Sequence, residues 1–357
     1  SVAAAILIGE WDESYETDRT VVSKIAGVEY EQFVRAVTPF QSGPAPLISR
    51  AGRVWKVYAR PTAWKQLEPL LTTHQLEVFL QSARDVLLEP DPRFELAPEE
   101  RWMASVHGKR RAHSSYLRNG LVSGLLHAAA LGRNASACYA GRRAQDWVDG
   151  ACHRLFENRG EPDFWRRIRG ELSELAEAAP APFLTALESD LRQAQPQVCD
   201  LFEEEGEQGG CLYSDLLWAL ELLAWAPEYV GRAALVLAVL AEKDPGGRWS
   251  NRPHASLAEM LLPAQPQCGA TAPERKTLFA LITERFPNAG WTLGKSLMPT
   301  QMSIITPTAR PKLRAWAPEK ERSVVLVADY WAEIQDISER LLELAGKDAG
   351  RWHFLLS

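Results

Sequence analysis

Residues 214–242 read SDLLWALELLAWAPEYVGRAALVLAVLAE, two apolar, helix-length stretches on either side of Ala226-Pro227-Glu228. Apolar residues recur at spacings of three and four in both stretches, which is the period of a helix with one buried face. Proline is tolerated in the first turn of a helix, where its missing N–H would have no partner. A carboxylate there faces the positive end of the helix dipole. The segment therefore predicts a helix, a tight break and a second helix.

The same helix start recurs at nearly equal intervals. Ala-Pro pairs begin at residues 179, 226, 272 and 317, separations of 47, 46 and 45, and Glu follows the last three. Two helices in about 40–47 residues is the size of a HEAT-like repeat, whose units bury their apolar faces by stacking on one another. The alternative is that Ala-Pro-Glu is a common helix start and the spacing is chance. We predict a HEAT-like α-helical solenoid, interrupted in its last unit by residues 299–307.

The first sixty residues have a different pattern. They predict three short helices, the second within 18–27, capped by Asp18 and ended by Gly27, and the third within 29–37. Two β-prone stretches, 46–49 and 53–58, flank a plausible hairpin turn. If 53–58 is a strand, Trp55 and Val57 should face one side and Val54, Lys56 and Tyr58 the other. Three helices and a hairpin are the outline of a winged helix.

The charges of this winged-helix-like unit argue against DNA as its ligand. Residues 1–45 hold seven acidic and three basic residues. The third helix carries Glu29 and Glu31 against Arg35, whereas a helix that reads base edges and phosphates needs Arg, Lys, Asn or Gln. The net charge of −6 and the pI near 5.8 point the same way. A winged-helix DNA-binding transcription regulator stays as the alternative function.

The cysteines and the apolar segments indicate the cellular compartment of the chain. The five cysteines are widely spaced and form no C-x-x-C pair, which is typical of reduced thiols in a cytoplasm. The gaps between His127, Cys138, Cys152 and His153 fit no zinc pattern. The apolar run at residues 2–8 is too short for a membrane span and lacks a preceding basic residue. We expect a cytoplasmic segment of a longer protein, with no metal and no membrane partner.

Only one stretch suggests a cofactor. Residues 289–296, AGWTLGKS, end like a phosphate-binding loop, but the first glycine is Ala289 and a helix is predicted where a strand should precede. Lys295 is therefore interpreted as a solvated helix residue. No Ser-His-Asp, Cys-His or paired-carboxylate pattern is recognisable. We predict no cofactor and no catalytic residues, and keep an enzyme whose site is not visible in sequence as a second alternative.

Charge along the helical region is uneven. Residues 101–170 hold thirteen basic and five acidic residues, and residues 171–210 hold one basic and ten acidic ones. The two blocks could neutralise each other between packed helices; otherwise the basic block is a docking face for an acidic partner. The predicted partner contacts in this basic block are Lys109, Arg110, Arg111, Arg166, Arg167 and Arg169.

The loop at residues 244–253, DPGGRWSNRP, is rich in turn-forming residues. It carries Arg248, Trp249 and Arg252, and Trp and Arg are enriched where interfaces gain most of their binding energy. These three residues complete the predicted partner-binding set. The alternative is an inter-repeat loop whose Trp249 packs into a groove.

The segments LWALELLAWAPEY at 217–229 and DPGGR…NRP at 244–253 resemble the C-terminal region of large bacterial STAND/NACHT-type NTPases associated with antiphage defence. In that group a nucleotide-binding domain precedes a winged helix and a helical-repeat sensor. The resemblance implies a protein or phage-derived ligand for the sensor and an upstream nucleotide-binding domain in the parent chain. This chain lacks the phosphate-binding loop and the acidic strand motif for magnesium, so ATP hydrolysis is implied only for a longer parent.

Together these observations predict a mainly α-helical chain with a winged-helix-like domain at 1–90 and an α-helical repeat domain at 91–357. The predicted function is recognition or regulation, with a protein partner bound by the helical repeats.

Overall fold

The N-terminal helices and strands alternate along the chain before the longer helices begin. The computed structural model describes residues 2–43, 46–133, 137–206, 208–299, 306–318 and 325–356, which are mainly helical with a small sheet. They divide into two compact units. One runs to Asp190 and includes Glu203–Leu212, and the other holds Leu191–Phe202 and the residues from Tyr213 on.

The first unit contains ten helices among its described residues. They are α1 (Ala4–Ile8), α2 (Glu16–Ala26), α3 (Tyr30–Val37), α4 (Arg60–Leu67), α5 (Thr73–Leu87), α6 (Ser115–Leu131), α7 (Ala144–Phe156), α8 (Phe164–Arg167), α9 (Leu172–Ala178) and α10 (Pro180–Leu191), whose last residue falls in the second unit. The domain boundary predicted after residue 90 lies within this unit, where α5 packs against α6 across it. That boundary stays a prediction.

Three short strands form one antiparallel sheet in the order β1-β3-β2. The strands are β1 (Glu10–Asp12), β2 (Ile48–Ala51) and β3 (Val54–Val57). The predicted hairpin is confirmed, with Gly52 at φ +62° in its turn and Trp55 and Val57 on the buried face. β1 was not predicted; its Trp11 pairs with Trp55, and the two rings stack with centroids 5.7 Å apart.

The prediction that Asp18 caps α2 is wrong. Asp18 lies inside the helix and is fully buried, and Tyr15 holds the N-cap position. Its carboxylate accepts hydrogen bonds from the backbone N–H of Asp12 and from both the N–H and the hydroxyl of Ser114, at 3.0, 3.0 and 2.5 Å. Since Ser114 is the N-cap of α6, Asp18 joins α2 to the start of α6. Gly27 ends α2 in the left-handed conformation, as predicted.

The helix α6 lies directly on the backbone of residues 7–10. A Cβ added at Gly120 would be 2.2 Å from the carbonyl oxygen of Ile8, and one at Gly124 would be 2.4 Å from that of Leu7. Two glycines four residues apart lie on one face of a helix and allow this approach. The first unit is therefore built around α6.

Arg60 fixes the same junction. Its guanidinium is 7% exposed and donates to the carbonyls of Ile6, Leu7 and Gly120 at 2.8, 2.8 and 3.0 Å. The first two belong to the last turn of α1, where carbonyls have no partner within the helix and a cation is favoured by the helix dipole. Burial lowers the pKa of Arg60 to about 10, which still leaves the side chain charged at neutral pH.

The second unit holds seven helices among its described residues. They are α11 (Ser214–Ala224), α12 (Val230–Lys243), α13 (Pro253–Leu261), α14 (Ala272–Arg285), α15 (Pro287–Leu297), α16 (Val327–Ala345) and α17 (Ala349–Leu356). Helix α12 packs against α11, α13, α14 and α15, and α16 packs against α14 and α15. The helix pair predicted around Ala226-Pro227 is confirmed as α11 and α12.

Two of the four Ala-Pro pairs begin helices, and the prediction that Ala317-Pro318 begins one is wrong. Pro180 starts α10 directly after α9, and Ala272 starts α14 with Thr271 and Glu274 as a capping box. Pro227 lies in the break before α12, and Ala317-Pro318 is not helical, while Glu319 lies outside the described residues. Of the predicted interruption at 299–307, residues 300–305 also lie outside them. Because Pro180 and Pro227 belong to different units, HEAT-like stacking stays a prediction.

Candidate recognition site

The predicted basic block lies in the first unit, and most of its arginines face carboxylates. Arg111 and Arg169 both contact Asp91, at 3.1 and 2.9 Å. Burial would raise the pKa of the Asp91 carboxyl, but the two guanidinium groups outweigh it and hold that pKa below its usual range. Arg167 contacts Glu161 at 3.0 Å. These arginines are partly buried structural partners of acidic side chains.

The remaining members of the block extend this pattern. Arg166 lies 2.8 Å from Asp163 and 3.1 Å from Glu203. Lys109 pairs with Glu95, and Arg110 is exposed to solvent. Glu203 comes from the acidic run that the sequence places downstream, so the basic and acidic blocks neutralise each other at this contact.

An aromatic ring lies at the centre of these arginines. Four guanidinium groups approach the Phe94 ring, with carbon-to-centroid distances of 4.9 to 5.6 Å; they belong to Arg93, Arg101, Arg166 and Arg169. Each can be attracted to the ring face, and the neighbouring carboxylates offset their mutual repulsion. Arg93 pairs with Glu205, and Arg101 with Glu203. No local sequence pattern marks Phe94, because its partners lie up to 75 residues away in the chain.

The loop at 244–253 lies in the second unit, between α12 and α13. Gly246 has φ +76°, a conformation that favours glycine, and its N–H donates to the Asp244 carboxylate at 3.0 Å. Trp249 is 36% exposed, and the Arg248 guanidinium lies 4.8 Å from the centre of its ring. The pair is therefore partly exposed at the surface, and Trp249 also lines a concave site.

Arg252 lies beneath this loop. It is 3% exposed, donates to the Tyr213 hydroxyl at 2.8 Å and lies 3.3 Å from the Asp244 carboxylate. A buried guanidinium with two partners holds both ends of the loop and leaves little of its surface for a ligand. Arg252 therefore positions Asp244 and the loop.

The loop borders an open concave site of about 620 Å³. Its other wall is the start of α15, with Asn288, Ala289 and Thr292, and the N–H of Ala289 donates to Glu242 at 2.7 Å. His254 also lines it; burial lowers the pKa of this imidazole, Arg252 and Lys295 add to that effect and Asp244 opposes it. The lining of the site therefore combines neutral and charged polar side chains with the partly exposed Trp249.

The Gly-Lys-Ser sequence lies inside a helix. Gly294, Lys295 and Ser296 belong to α15, and the preceding element is the helix α14. The Lys295 ammonium lies 5.4 Å from the centre of the Phe354 ring. Helical N–H groups in the body of α15 are bonded within the helix and do not form a phosphate cradle.

The cysteines and histidines do not converge. Within the described residues no group of three or more His, Cys, Asp or Glu is placed to hold a metal ion. Cys138 and Cys152 are buried and form no disulfide, and burial raises the pKa of Cys152 to about 12. No described helix is both long and apolar enough to cross a bilayer.

The residues that sequence reasoning missed at the loop are Tyr213, Glu242 and Asn288. They lie on separate helices or their flanks and meet only in the folded unit, so no local pattern marks them.

Comparison with family models, with curated proteins and with solved structures finds no match for this chain.

Proposed function

We propose that this chain is a non-catalytic recognition segment that binds a protein partner through the loop at 244–253. The carrying observation is the exposed Arg248–Trp249 pair at the rim of a concave polar site. Binding energy concentrates where an aromatic anchor and an arginine meet a partner beside a pocket that can desolvate them. Asp244, Arg252 and the glycine turn hold the pair in place before a partner arrives.

The proposal includes the parent protein that the sequence resembles. We infer that the segment belongs to a larger cytoplasmic bacterial STAND-type defence NTPase and senses a protein or a phage-derived ligand with its helical repeats. The order α1-β1-α2-α3-β2-β3 and the strand order β1-β3-β2 support the winged-helix interpretation of the N-terminal part. Nucleotide binding belongs to an upstream domain of that parent.

The basic block has a smaller role in this proposal than in the sequence analysis. Arg111, Arg166, Arg167 and Arg169 hold the first unit together through the ion pairs described above. Lys109 and Arg110, the outermost members, remain candidate contacts for an acidic partner.

The test is capture of partners from lysates of phage-infected and uninfected bacteria. We expect Trp249→Ala and Arg248→Glu to lose a protein that the unaltered chain captures. Trp218→Ala is the matched control, because Trp218 is an exposed tryptophan on α11 of the same unit. The dissociation constant of the purified partner should rise at least about tenfold for Trp249→Ala. Equal capture by all four chains would exclude the loop as the binding site.

A further inference from the structure

An extended segment of the second unit is held by side chains in the way that a bound peptide is held. Residues 306–311, TPTARP, here called the strap, are neither helix nor strand. The side-chain amide of Gln267 donates to the carbonyl of Thr306 at 2.7 Å and accepts from the N–H of Thr308 at 2.8 Å. One amide thus pairs with a donor and an acceptor of the strap backbone.

Glu221 on α11 and Trp225, the residue directly after that helix, hold Ala309 of the strap. The N–H of Ala309 donates to the Glu221 carboxylate at 2.7 Å, and the Trp225 indole N–H donates to the carbonyl of Ala309 at 3.1 Å. Glu259 on α13 accepts from the backbone and the hydroxyl of Thr306. All four side chains bond to main-chain atoms, which any extended sequence can supply.

These side chains are buried and therefore need hydrogen-bond partners from a segment that covers them. Glu221 and Gln267 are each 7% exposed, and the other Glu221 oxygen accepts from Ser256, which is 3% exposed. Buried donors and acceptors that lose a partner incur their full desolvation cost. A surface of this kind is stable when an extended backbone covers it, whichever chain that backbone comes from.

Two strap side chains give the surface a sequence preference. The Arg310 guanidinium lies 4.8 Å from the centre of the Trp225 ring, which favours a cation at that position. Thr308 is 7% exposed, and its hydroxyl has no hydrogen-bond partner among the described residues. A valine has nearly the same shape and leaves no unsatisfied hydroxyl, so this position favours valine over threonine.

We propose that Glu221, Trp225, Glu259 and Gln267 form a peptide-binding groove, occupied here by the chain's own strap. The occupant from outside is an extended segment of a partner protein that places Val or Thr two residues before Arg and displaces the strap. The groove shares no residue with the loop at 244–253, and it stands independently of the function proposed for that loop.

The strap's tether sets the strength that a displacing segment needs. A covalently linked segment competes at a high effective concentration, so a free copy of the strap binds the unaltered chain weakly. A change that weakens the strap within the chain should expose the groove, and the same change in a free peptide should remove its binding.

Ala309→Pro makes this change in both places, because proline lacks the N–H that Glu221 accepts. The probe is a fluorescein-labelled peptide of residues 306–313, followed by fluorescence anisotropy. We expect it to bind the full-length Ala309→Pro chain at least about tenfold tighter than the unaltered chain. A peptide that itself carries Pro in place of Ala309 should bind at least about tenfold more weakly, and one with Val in place of Thr308 about fivefold tighter.

Gln267→Ala in the Ala309→Pro chain is the site control and should abolish binding. Hydrogen exchange of the unaltered chain provides a measurement that does not depend on how the variants fold. Excess Val-containing peptide should accelerate exchange at the strap's own Thr308 and Ala309 amides. If those amides stay protected at millimolar peptide, or if the Pro and Ala peptides bind alike, the strap is a fixed part of the fold and the proposal is overturned.

Discussion

His127 is a buried imidazole on α6 that the fold keeps neutral. It is 7% exposed, its Nδ1–H donates to the Ser123 carbonyl at 2.7 Å, and its ring lies 5.9 Å from that of Trp64. Burial, with the nearby charge of Arg60, lowers the pKa of His127 to about 4. A protonated ring would lie beside a buried guanidinium.

The pH dependence of stability follows from this shift. The folded pKa lies below the unfolded one, so the unfolded chain takes up the proton first and the free energy of unfolding falls as pH drops below about 6.5. Between pH 7 and pH 5 we expect His127 to contribute a loss of about 2 kcal/mol. Urea unfolding of His127→Gln should show that much less loss, whereas the exposed His107→Gln should match the unaltered chain. Equal pH slopes for all three would contradict the assignment.

Single residues show where local patterns end. Lys295 was correctly interpreted as a helix residue, because the missing glycine and the preceding helix are local signals. The role of Asp18 was wrongly predicted, because its partner Ser114 is 96 residues away and nothing near Asp18 marks it. Gln267 and Thr308 gave no sequence signal, since a side chain that bonds to backbone leaves no pattern in its partner.

At the scale of elements, the close contact of α6 with residues 7–10 predicts the direction in which a glycine-to-alanine substitution changes the free energy of unfolding. Alanine normally stabilises a helix relative to glycine by about 1 kcal/mol. At Gly120 the new methyl group would overlap the Ile8 carbonyl and the Glu10 N–H, so we expect Gly120→Ala to lower the free energy of unfolding by about 1–3 kcal/mol.

The matched control is Gly150→Ala on α7, where the nearest atom to an added Cβ is the end of the Arg154 side chain at 3.8 Å. Its space is open, so this substitution should raise the free energy of unfolding by up to about 1 kcal/mol. Denaturant unfolding of both variants measures the difference. Changes of the same sign would mean that α6 does not approach the N-terminal backbone this closely.

The helix pair α11 and α12 and the hairpin were predictable because period and turn chemistry are local. Strand β1 was not, since Glu10-Trp11-Asp12 is too short to show alternation. Its pairing with β3 joins residues more than forty positions apart. The Ala-Pro spacing identified breaks between helices, but it could not tell a break inside one unit from a break between units.

At the scale of the whole molecule, basic side chains pair with acidic side chains that are distant in the sequence, so the sequence blocks of like charge do not stay separate in the fold. The basic and acidic blocks are adjacent in the chain, yet Arg166 reaches Glu203 over 37 positions and Arg101 reaches it over 102. The division into units near residues 190–213 is likewise set by contacts, and the boundary predicted at residue 90 stays a prediction. Pro-rich breaks mark where helices stop, while units are defined by which helices bury each other.

Charge reversal should separate the structural arginines from the exposed ones. Arg166→Glu places a carboxylate between Asp163 and Glu203, and we expect it to lower the free energy of unfolding by roughly 2 kcal/mol or more. Arg110→Glu, at an exposed position, should change it by less than about 0.5 kcal/mol. Thermal denaturation by circular dichroism measures both. Equal melting temperatures would show that the arginines around Phe94 are solvated.

The packing of α1 under α6 also affects how the chain folds while it is being synthesised. Ala4–Ile8 is buried in the folded chain, and α6, which makes the most contacts with it, starts only at Ser115. At about 5–20 residues per second, a ribosome needs roughly 5–20 seconds to travel that distance. During that interval α2, α4 and α5 can pack against α1, but the apolar face that α6 covers stays exposed, so the growing chain keeps a surface open to chaperones and to aggregation until α6 is made.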